Sequence, residues 1–570
     1  MQEIKYVDSL KDIINERCDM FKDRIAFLEK LEGMEEFEKI KYSKVKVDVN
    51  ALGTIMINKL NLKDKKIAVI GENSYRWYIT YMAVVCGVGT IVPLDKELPE
   101  NEILNLLERS KASCIVYSSR KKDLIIDLKE KLPKDMVYIE MSKEKSDKES
   151  YSLDEIIDEG KKIVENWDNS YENIKIDREK FCILLFTSGT TGKSKGVMLN
   201  HKNICANIVA CFHLVPQMGS FTTLSVLPMH HTYEFSLDYI YSTYMGATLG
   251  ICQGLKYIAK NLKEIKPDLL IAVPALIENL SKKIDKSIEK TGKEKIIRNV
   301  GKVANGLSKV GLDLRKVIFK QIHETLGGNL KYLLSGAAPI DIEVIKKIES
   351  YGITLLQGFG TTETAPLIAG TPYNDHEAGT CGKAVYGCDV RIDLDDNTEE
   401  KNIGEIIAKG DCVMMGYYEM EKETKEVLKK GWLHTGDLGY FNKKGNLVIT
   451  GRRKNVIVTS NGKNIFPEEL EFEVNKIPLV NESMVYGKKD TKKKDELIVT
   501  ARVTLDEEYL KEKYGDNRPT DEEIKNEIWN EIKKINKNMV QYKAIKDLEI
   551  KKDDFIKTTT MKIKRYEEIK

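Results

Sequence analysis

One stretch of the chain decides the fold, because it combines a buried strand with a loop of unusual composition. Residues Phe181 to Val197 read FCILLFTSGTTGKSKGV. The apolar run from Phe181 to Phe186 predicts a short buried strand. The ten residues that follow are glycines, hydroxyl residues and lysines. Glycines let backbone N–H groups approach anionic oxygens, hydroxyls donate hydrogen bonds and lysines supply positive charge. The loop is therefore suited to a polyphosphate.

Two known phosphate-binding patterns are close to this loop, and only one of them fits. The Walker A loop, G-x-x-x-x-G-K-[ST], would need its first glycine at Thr187, so it fails. The loop instead resembles T-S-G-[ST]-T-G-x-P-K-G of the acyl- and aminoacyl-adenylate-forming enzymes, with Ser194 where proline is usual. A polar surface loop is the alternative. The resemblance implies that these residues bind ATP: Thr187, Ser188, Gly189, Thr190, Thr191, Gly192 and Lys195.

The composition is that of an ordinary soluble protein. The 570 residues carry a net charge of +2, so no basic field favours nucleic acid as a partner. Ten cysteines without a C-x-x-C pair favour a reduced, cytoplasmic protein over a disulfide framework or a zinc site. The uncharged run from Trp77 to Leu94 contains two glycines and a proline, and it predicts a buried helix and strand instead of a membrane span. The composition leaves peripheral contact with a membrane open and does not determine the oligomeric state.

The order of apolar segments predicts the fold class and one domain boundary. From Lys65 to Asp95 the pattern is strand, turn, helix and strand, which indicates a mostly parallel sheet and an α/β fold. Residues 119–180 are rich in Lys and Glu at helical spacing and are predicted to form a solvated connection that leads to the loop. A second region rich in Lys and Glu begins at about Lys454. We therefore predict two domains, residues 1–453 and residues 454–570.

A second segment, from Ile353 to Pro366, reads ITLLQGFGTTETAP. Its glycine pair does not continue into the dinucleotide fingerprint, because Glu363 stands where a small residue is needed. Phe359 is suited to stacking on adenine, Thr362 to a phosphate and Glu363 to Mg²⁺. The segment resembles the family's Y-G-x-T-E motif, with Phe359 in place of tyrosine. A polar turn that caps a strand is the alternative.

A third segment, residues 431–454, predicts a β-hairpin whose first strand begins after Asp437. The carboxylate of Asp437 can accept hydrogen bonds from both ribose hydroxyls, and the planar donors of Arg452 can reach phosphate or ribose. The order T-G-D…G-R resembles the family's ribose-binding pair, and a surface ion pair is the alternative. By the same resemblance, Ala337 and Ala338 match the small residues on one face of adenine.

A pair of histidines occupies the segment Ser225 to Phe235, which reads SVLPMHHTYEF. His230 and His231 lack further residues at metal-ligand spacing, so a zinc site is not favoured. Packing within a loop is the alternative to a role in substrate binding. The resemblance implies that His231 lies near the substrate carboxylate and that Tyr233 lies near the acyl chain.

A basic segment near the end of the chain, DFIKTTTMKIKR, resembles the family's P-K-T-x-x-G-K-x-x-R. The resemblance places the adenylation lysine at Lys562. Two residues depart from the pattern: Ile556 replaces the proline and Met561 replaces the glycine, which leaves Lys557 as a competing lysine. The family's pivot between domains falls two residues after the ribose-binding arginine, at Lys454.

The motifs stand in the family's order and cover nearly the whole chain. The resemblance implies a large N-terminal region of α/β subdomains with a β-barrel, and a small, mobile α+β C-terminal domain. The paired histidines and residues 461–470 are most similar to the long-chain fatty acid–CoA ligases. That family uses ATP and Mg²⁺ to convert a fatty acid to acyl-AMP and pyrophosphate, and then transfers the acyl group to coenzyme A. Fatty acid and lipid metabolism is the implied setting.

Three other functions remain open from the sequence. The first is a related ligase for aryl or short-chain acids, or one that loads an acyl carrier protein. The second is a non-catalytic nucleotide-binding module, which predicts the loss of Lys562 or Glu363, and both are present. The third is a membrane-surface protein that handles acyl chains without ATP, and it leaves the phosphate-binding loop unexplained.

Overall fold

The computed structural model describes residues 6–166, 168–187, 194–215, 218–290, 313–394, 402–459, 463–489, 497–558 and 562–569. The chain divides into two compact units. The first unit comprises residues 1–187, 194–389 and 409–431. The second unit comprises residues 188–193, 390–408 and 432–570.

The first unit contains an eight-stranded sheet that includes the strands on both sides of the phosphate-binding loop. Its strands, in spatial order, are Gly416–Tyr417, Lys195–Asn200, Phe181–Thr187, Thr90–Leu94, Lys66–Ile70, Cys114–Tyr117, Val137–Glu140 and Tyr151–Ser152. The predicted β-α-β unit is present, because Lys66–Ile70 and Thr90–Leu94 pair in parallel and Tyr75–Ala83 is the helix between them. The central strands are buried on both faces, as parallel strands covered by helices are.

Residues 119–180 differ from the prediction of a solvated connection, which was wrong. They contain the helices Lys122–Lys129 and Leu153–Glu165 and the last two strands of the eight-stranded sheet. Each helix buries a few apolar residues, such as Ile125 and Ile156, against the body of the unit. The Lys and Glu residues lie on the outer face of these amphipathic helices, so their number says little about burial.

A second sheet in the first unit has nine strands. In spatial order they are Lys383–Ala384, Leu367–Gly370, Thr354–Gly360, Tyr332–Ser335, Leu269–Ala272, Thr222–Ser225, Thr248–Ile251, Ile25–Glu29 and Glu38–Lys41. The four strands from Thr222–Ser225 to Thr354–Gly360 pair in parallel, so their carboxyl ends meet at one edge. In α/β proteins, ligands bind at such an edge. The predicted segments that contain His231, Ala337 and Glu363 all follow strands of this set.

Helices cover both sheets of the first unit. The longer ones are Tyr42–Asn58, Tyr75–Ala83, Glu100–Ser110, Lys122–Lys129, Leu153–Glu165, His201–Leu214, Ile258–Ile265, Pro274–Lys290 and Ile342–Ser350. Shorter helical segments are Leu10–Asp12, Cys18–Met20, Thr232–Glu234, Tyr241–Met245, Arg315–Ile318, Lys320–Thr325 and Glu421–Val427, and a short strand is Leu428–Lys429. Among the helices described, none is both long enough and apolar enough to cross a bilayer.

Three further sheets consist mostly of residues of the second unit. An antiparallel sheet, in the region predicted as a β-barrel, includes Cys388–Asp393, Gly404–Gly410, Trp432–Phe441 and Leu447–Arg452. A small sheet pairs Ile457–Val458 with Asn464–Ile465, and another contains Val480–Lys489, Leu497–Leu505 and Asp547–Ile550. The helices are Pro467–Val474, Glu507–Tyr514, Asp521–Lys537 and Arg565–Glu568.

The helix Asp521–Lys537 has the features that the sequence predicts. Thr520 and Glu523 form the capping box, and Ile524, Ile528 and Ile532 are buried in a hydrophobic core of the second unit. Together with the two sheets of the first unit, this arrangement confirms the predicted α/β class, with a large N-terminal region and a smaller C-terminal α+β region.

Candidate active site

The phosphate-binding loop connects two paired strands. Phe181–Thr187 and Lys195–Asn200 are antiparallel, and Thr187 is the register partner of Lys195. The hydroxyl of Thr187 donates a hydrogen bond to the carbonyl of Lys195, 3.4 Å away. The two ends of the loop are therefore held side by side. Five predicted phosphate-binding residues lie outside the described residues: Ser188, Gly189, Thr190, Thr191 and Gly192.

Ser194, which stands where the family has proline, is anchored by side chains of the helix Glu100–Ser110. Its hydroxyl donates to Glu102 Oε1 at 2.8 Å, and its carbonyl accepts from Arg109 Nη2 at 2.8 Å. The guanidinium of Arg109 also lies over the ring of Phe186, 5.4 Å from its centre. Hydrogen bonds thus hold this end of the loop, where a proline would hold it by limiting the backbone angle φ.

Glu363 lies in a short turn after the strand Thr354–Gly360. The turn is a single 3₁₀ segment, Thr362–Thr364, and Thr361 caps it. The carbonyl of Glu363 accepts a hydrogen bond from the backbone N–H of Met414 at 2.8 Å. Its carboxylate accepts one from the hydroxyl of Tyr417, with an Oη–Oε1 distance of 2.9 Å. Both the backbone and the side chain of Glu363 are therefore held by residues 414–417.

Tyr417 also contacts Lys195. The ammonium of Lys195 lies 4.6 Å from the centre of the Tyr417 ring, which is within the range of a cation–π interaction. Tyr417 leaves 6% of its surface exposed, and burial together with the charge of Glu363 raises the pKa of its hydroxyl. The structure thus brings Lys195 and Glu363, predicted from separate motifs, into one cluster. Sequence reasoning missed Tyr417; the only available signal was an aromatic pair, Tyr417 and Tyr418, after a glycine.

Two buried asparagines of the helix His201–Leu214 support this cluster. Asn203 donates to the carbonyls of Asp411 and Val413, both at 2.8 Å. Asn207 donates to the carbonyl of Thr364 at 2.9 Å and accepts from the N–H of Leu367 at 2.7 Å. The helix therefore holds the segment that precedes Tyr417 and the turn that contains Glu363.

The residues predicted to contact adenine lie at the ends of neighbouring strands: Ala337 and Ala338 follow Tyr332–Ser335, and Phe359 is the penultimate residue of Thr354–Gly360. Ser335 and Gln357 are register partners in the parallel pair, so the segments that contain Ala337 and Phe359 leave the same edge of the sheet. Ala337 and Ala338 are exposed, and Ala337 has a φ of 71°, an uncommon backbone angle for a residue with a Cβ atom. Phe359 is buried, with 8% of its surface exposed.

The paired histidines are packed closely together. The ring centres of His230 and His231 are 4.0 Å apart, and His230 Nε2 lies 3.6 Å from Asp95 Oδ2. Burial lowers the pKa of His230 to about 3, so its ring is neutral at physiological pH. His231 is the residue before the helical turn Thr232–Glu234. The hydroxyl oxygen of Tyr233 lies 3.0 Å from the carbonyl oxygen of Leu334 and 3.3 Å from that of Ala272, near the ends of two neighbouring strands, so its single proton is shared between them.

The second unit contains the predicted ribose-binding pair. Asp437 and Arg452 are register partners on Trp432–Phe441 and Leu447–Arg452, and their Oδ1 and Nε atoms are 2.8 Å apart. The side chain of Asp437 is 7% exposed, whereas that of Arg452 is 44% exposed. Asp437 lies inside the first strand and not before it, because the strand begins at Trp432. A pairing across two strands holds both groups in place.

Glu405 organises the surroundings of Asp437, and the sequence did not identify it. Its Oε1 accepts from the N–H of Gly436 at 2.9 Å. Its Oε2 is paired with His434 Nδ1 at 2.9 Å and accepts from Arg453 Nη1 at 3.2 Å. One largely buried carboxylate therefore connects the residue before Asp437 to the residue before Lys454. Lys454 itself is exposed in the short helical turn Arg453–Asn455.

The two candidate adenylation lysines differ in their environments. Thr558 and Lys562 bond to each other, with the N–H of Thr558 donating to the carbonyl of Lys562 at 2.7 Å. The side chain of Lys562 is exposed. Lys557 instead forms an ion pair with Glu482, with an Nζ–Oε2 distance of 2.5 Å. The ammonium of Lys557 is therefore engaged by a carboxylate.

Family models match both parts of the chain. An AMP-binding enzyme model matches residues 14–418, and a model of the AMP-binding enzyme C-terminal domain matches residues 454–567. Two similar relatives are a peroxisomal long chain acyl-CoA synthetase 6 of Arabidopsis thaliana and the long-chain-fatty-acid–CoA ligase FadD15 of Mycobacterium bovis. The first is 32% identical over 53% of this chain and 45% of the relative. The second is 29% identical over 67% of this chain and 66% of the relative. The chain thus spans about half to two thirds of their lengths.

Solved structures with the same fold include ligases for different acids. The anthranilate CoA ligase AuaEII, in complex with anthranoyl-AMP, is 18% identical, with a TM-score of 0.77 over 99% of this chain and 97% of its own. A Mycobacterium tuberculosis fatty acyl CoA synthetase is 19% identical, with a TM-score of 0.66 over 98% of this chain and 96% of its own. At these identities the likeness shows the fold alone. Since one family model matches most of its length and a second matches its C-terminal part, this chain belongs to the AMP-binding enzyme family.

Proposed function

We propose that this protein is an acid–thiol ligase that uses ATP to join a long-chain fatty acid to coenzyme A. The observation that carries the proposal is the cluster of Lys195, Tyr417 and Glu363 beside the base of the glycine- and hydroxyl-rich loop. It supplies a cation for phosphate oxygens and a carboxylate for a divalent cation, both in contact with one tyrosine. Family membership supports the same chemistry.

The first step makes a carboxylate reactive. An oxygen of the fatty acid attacks the α-phosphorus of ATP, the bond to the β-phosphate oxygen breaks, and pyrophosphate leaves. This reaction needs positioning and charge neutralisation more than covalent help from the protein. We assign Lys195, Lys562, Thr362 and the hydroxyls of the loop to the phosphates, and His231 to the substrate carboxylate.

The nucleoside is assigned to separate residues. We propose that Asp437 accepts hydrogen bonds from the ribose hydroxyls and that Arg452 orients Asp437 through the observed ion pair. Ala337 and Ala338 would leave room for one face of adenine, and Phe359 would contact it.

The residues around Glu363 fit a magnesium ion, which prefers oxygen ligands. The hydrogen bond from Tyr417 uses Oε1 of Glu363, and within the described part of the chain no hydrogen bond to Oε2 is formed. Glu363 would hold the ion, and the hydroxyl of Thr362, one residue away, would contact a phosphate. When bound, Mg²⁺ would neutralise charge on the phosphates.

In the second step, the sulfur of coenzyme A attacks the acyl carbonyl carbon and the bond to the AMP oxygen breaks. AMP leaves, and the thiol proton passes to solvent. We propose that residues 454–570 form the mobile C-terminal domain, that residues 1–453 bind ATP and the acyl group, and that the domain pivots at Lys454. The family model that begins at residue 454 supports this boundary.

A long acyl chain is the substrate that the relatives' names favour. A ligase for aryl or short-chain acids is the second candidate, because structures with the same fold include an anthranilate CoA ligase. An acyl carrier protein is the alternative acceptor, and a non-catalytic nucleotide-binding module is the remaining alternative. We place Tyr233 beside the acyl chain; its hydroxyl contacts the carbonyls of Ala272 and Leu334 on two neighbouring strands.

We propose a reducing compartment, the cytoplasm, as the location. All ten cysteines are free thiols in the structure, and burial raises the pKa of several of them, Cys18 and Cys205 to about 12. A relative named as peroxisomal makes the peroxisome the alternative. Subcellular fractionation of the native cells, with an antibody against this chain, tests the location.

Isotope exchange between pyrophosphate and ATP tests the function directly. The purified protein is incubated with ATP, Mg²⁺, labelled pyrophosphate and acids from acetate to palmitate and benzoate. Exchange that depends on an acid, and a specificity constant that is highest for palmitate, are expected. A higher constant for acetate or benzoate would refute the assigned chain length, and exchange with none of the acids would refute the ligase. Product analysis with coenzyme A then identifies the acceptor.

A further inference from the structure

We propose that Tyr417 is a positioning residue that keeps Lys195 and Glu363 apart, so that each stays available to the substrate. This inference rests on the proposed function, because it assigns Lys195 to phosphate and Glu363 to a divalent cation. It assigns a role to a residue that the sequence motifs had not identified.

The hydroxyl and the ring of Tyr417 make different kinds of contact. Its hydroxyl donates a hydrogen bond to Glu363 at 2.9 Å, and its ring face lies 4.6 Å from the ammonium of Lys195. The phenol satisfies one carboxylate oxygen without adding a positive charge. The ring attracts the ammonium without accepting a conventional hydrogen bond. Tyr417 therefore partners both charged groups and neutralises neither.

Without such a separator, the two charges would neutralise each other. A partly buried ammonium and carboxylate that can meet form an ion pair, because their attraction grows as water is excluded. Among the described residues, no ion pair joins Lys195 to Glu363. A direct pair would occupy the groups that the reaction needs for phosphate and for the cation, and both would have to be released before ATP could bind.

The backbone holds Tyr417 firmly in this position. Tyr417 is the register partner of Val197 in the short strand Gly416–Tyr417, and its N–H donates to Thr424 Oγ1 at 2.9 Å. The N–H of Tyr418 donates to the carbonyl of Gly196 at 2.7 Å. The backbone at Tyr417 is therefore fixed, and the side chain it carries is buried in contact with both charged groups, as a positioning role requires.

Neighbouring tyrosines provide a matched control. In a strand, successive side chains point to opposite faces. Tyr418 stacks on Phe181 and lies near Lys66, 5.2 Å from its ammonium, so it also has an aromatic and a cationic neighbour. Tyr418→Phe makes the same chemical change one residue away, without touching Lys195 or Glu363.

The test measures ATP binding to the full chain by calorimetry, with and without Mg²⁺, so it does not depend on turnover. Tyr417→Phe keeps the ring, so the affinity for ATP without Mg²⁺ is expected to stay unchanged. The increase in ATP affinity that Mg²⁺ produces should fall about tenfold or more, the value of a hydrogen bond to a charged group. Tyr417→Leu lets the ion pair form and is expected to weaken binding under both conditions. Tyr418→Phe should change neither.

A double variant makes the test specific. If Lys195 pairs with Glu363 in Tyr417→Leu, then adding Glu363→Gln removes the competing anion. Mg²⁺-free affinity should then return to that of Glu363→Gln alone. Loss of affinity that persists in the double variant would overturn the inference, since it would mean that Tyr417 acts only through folding. The thermal midpoint of each variant checks that the chain remains folded.

The two proposals fail in distinguishable ways. If the wild type binds ATP but no acid supports pyrophosphate exchange, the ligase proposal fails, and the binding pattern of the Tyr417 variants still decides the positioning role. If the wild type exchanges pyrophosphate and both Tyr417 variants bind ATP like Tyr418→Phe, the positioning role is refuted and the ligase stands.

Discussion

Replacing Lys562 or Lys557 with alanine should show which of the two is the adenylation lysine. Lys562 and Lys557 are five positions apart, and both fall in a segment that departs from the family's motif at Ile556 and Met561. The structure distinguishes them by their surroundings. Lys557 is held by Glu482 at 2.5 Å, whereas the side chain of Lys562 is exposed.

The two substitutions are expected to slow adenylation by factors that differ by orders of magnitude. The Lys557–Glu482 pair has side chains that are 17% and 29% exposed, and pairs near the surface contribute about 1 kcal/mol or less to stability. Lys557→Ala should therefore lower the thermal midpoint slightly and leave adenylation within about fivefold. A cation that stabilises charge in the transition state contributes about 3 to 4 kcal/mol, so Lys562→Ala should slow adenylation about 10² to 10³-fold.

Two assays on each variant complete the test. Pyrophosphate exchange reports adenylate formation, and the conversion of supplied acyl-AMP and coenzyme A to thioester reports the second step. Lys562→Ala should lose the first and keep the second, because the adenylate has already formed. Equal losses of exchange in the two variants, or a loss of thioester formation in Lys562→Ala, would refute the assignment.

Four further predictions follow from the structure. Lys454→Pro, which limits φ and removes a donor at the proposed pivot, should keep adenylation and lose thioester formation; loss of both activities would contradict the pivot. Glu363→Gln should slow adenylation by orders of magnitude at fixed Mg²⁺, and a near-normal exchange rate in a folded variant would remove it from the metal site. Asn207→Leu leaves the carbonyl of Thr364 and the N–H of Leu367 unsatisfied, so it should destabilise the first unit by about 2 to 4 kcal/mol, seen as a lower thermal midpoint, and also reduce exchange. Burial lowers the pKa of His201 to about 4, below its unfolded value of 6.5, so the unfolded state binds the extra proton and stability should fall as the pH drops from 6.5 to 4; His201→Gln should flatten that part of a pH–stability profile.

Sequence reasoning works best where a residue's chemistry depends on its near neighbours in the chain. The strand before Thr187, the capping box at Thr520 and the apolar stripe from Ile524 to Ile532 follow from local spacing, and the structure contains all of them. It failed for residues 119–180, because a few buried residues on each amphipathic helix decide packing and the numerous Lys and Glu residues do not.

By itself, the sequence determined the class of fold and the types of group at the site, since glycines, hydroxyls, a lysine and a carboxylate occur at recognisable spacings around Lys195 and Glu363. The tertiary structure alone decided which distant residues meet. Tyr417 is more than fifty positions from Glu363 and more than two hundred from Lys195, and it joins them only because a short strand pairs beside Val197. Contacts of this kind depend on the path of the whole chain, and no local pattern encodes them.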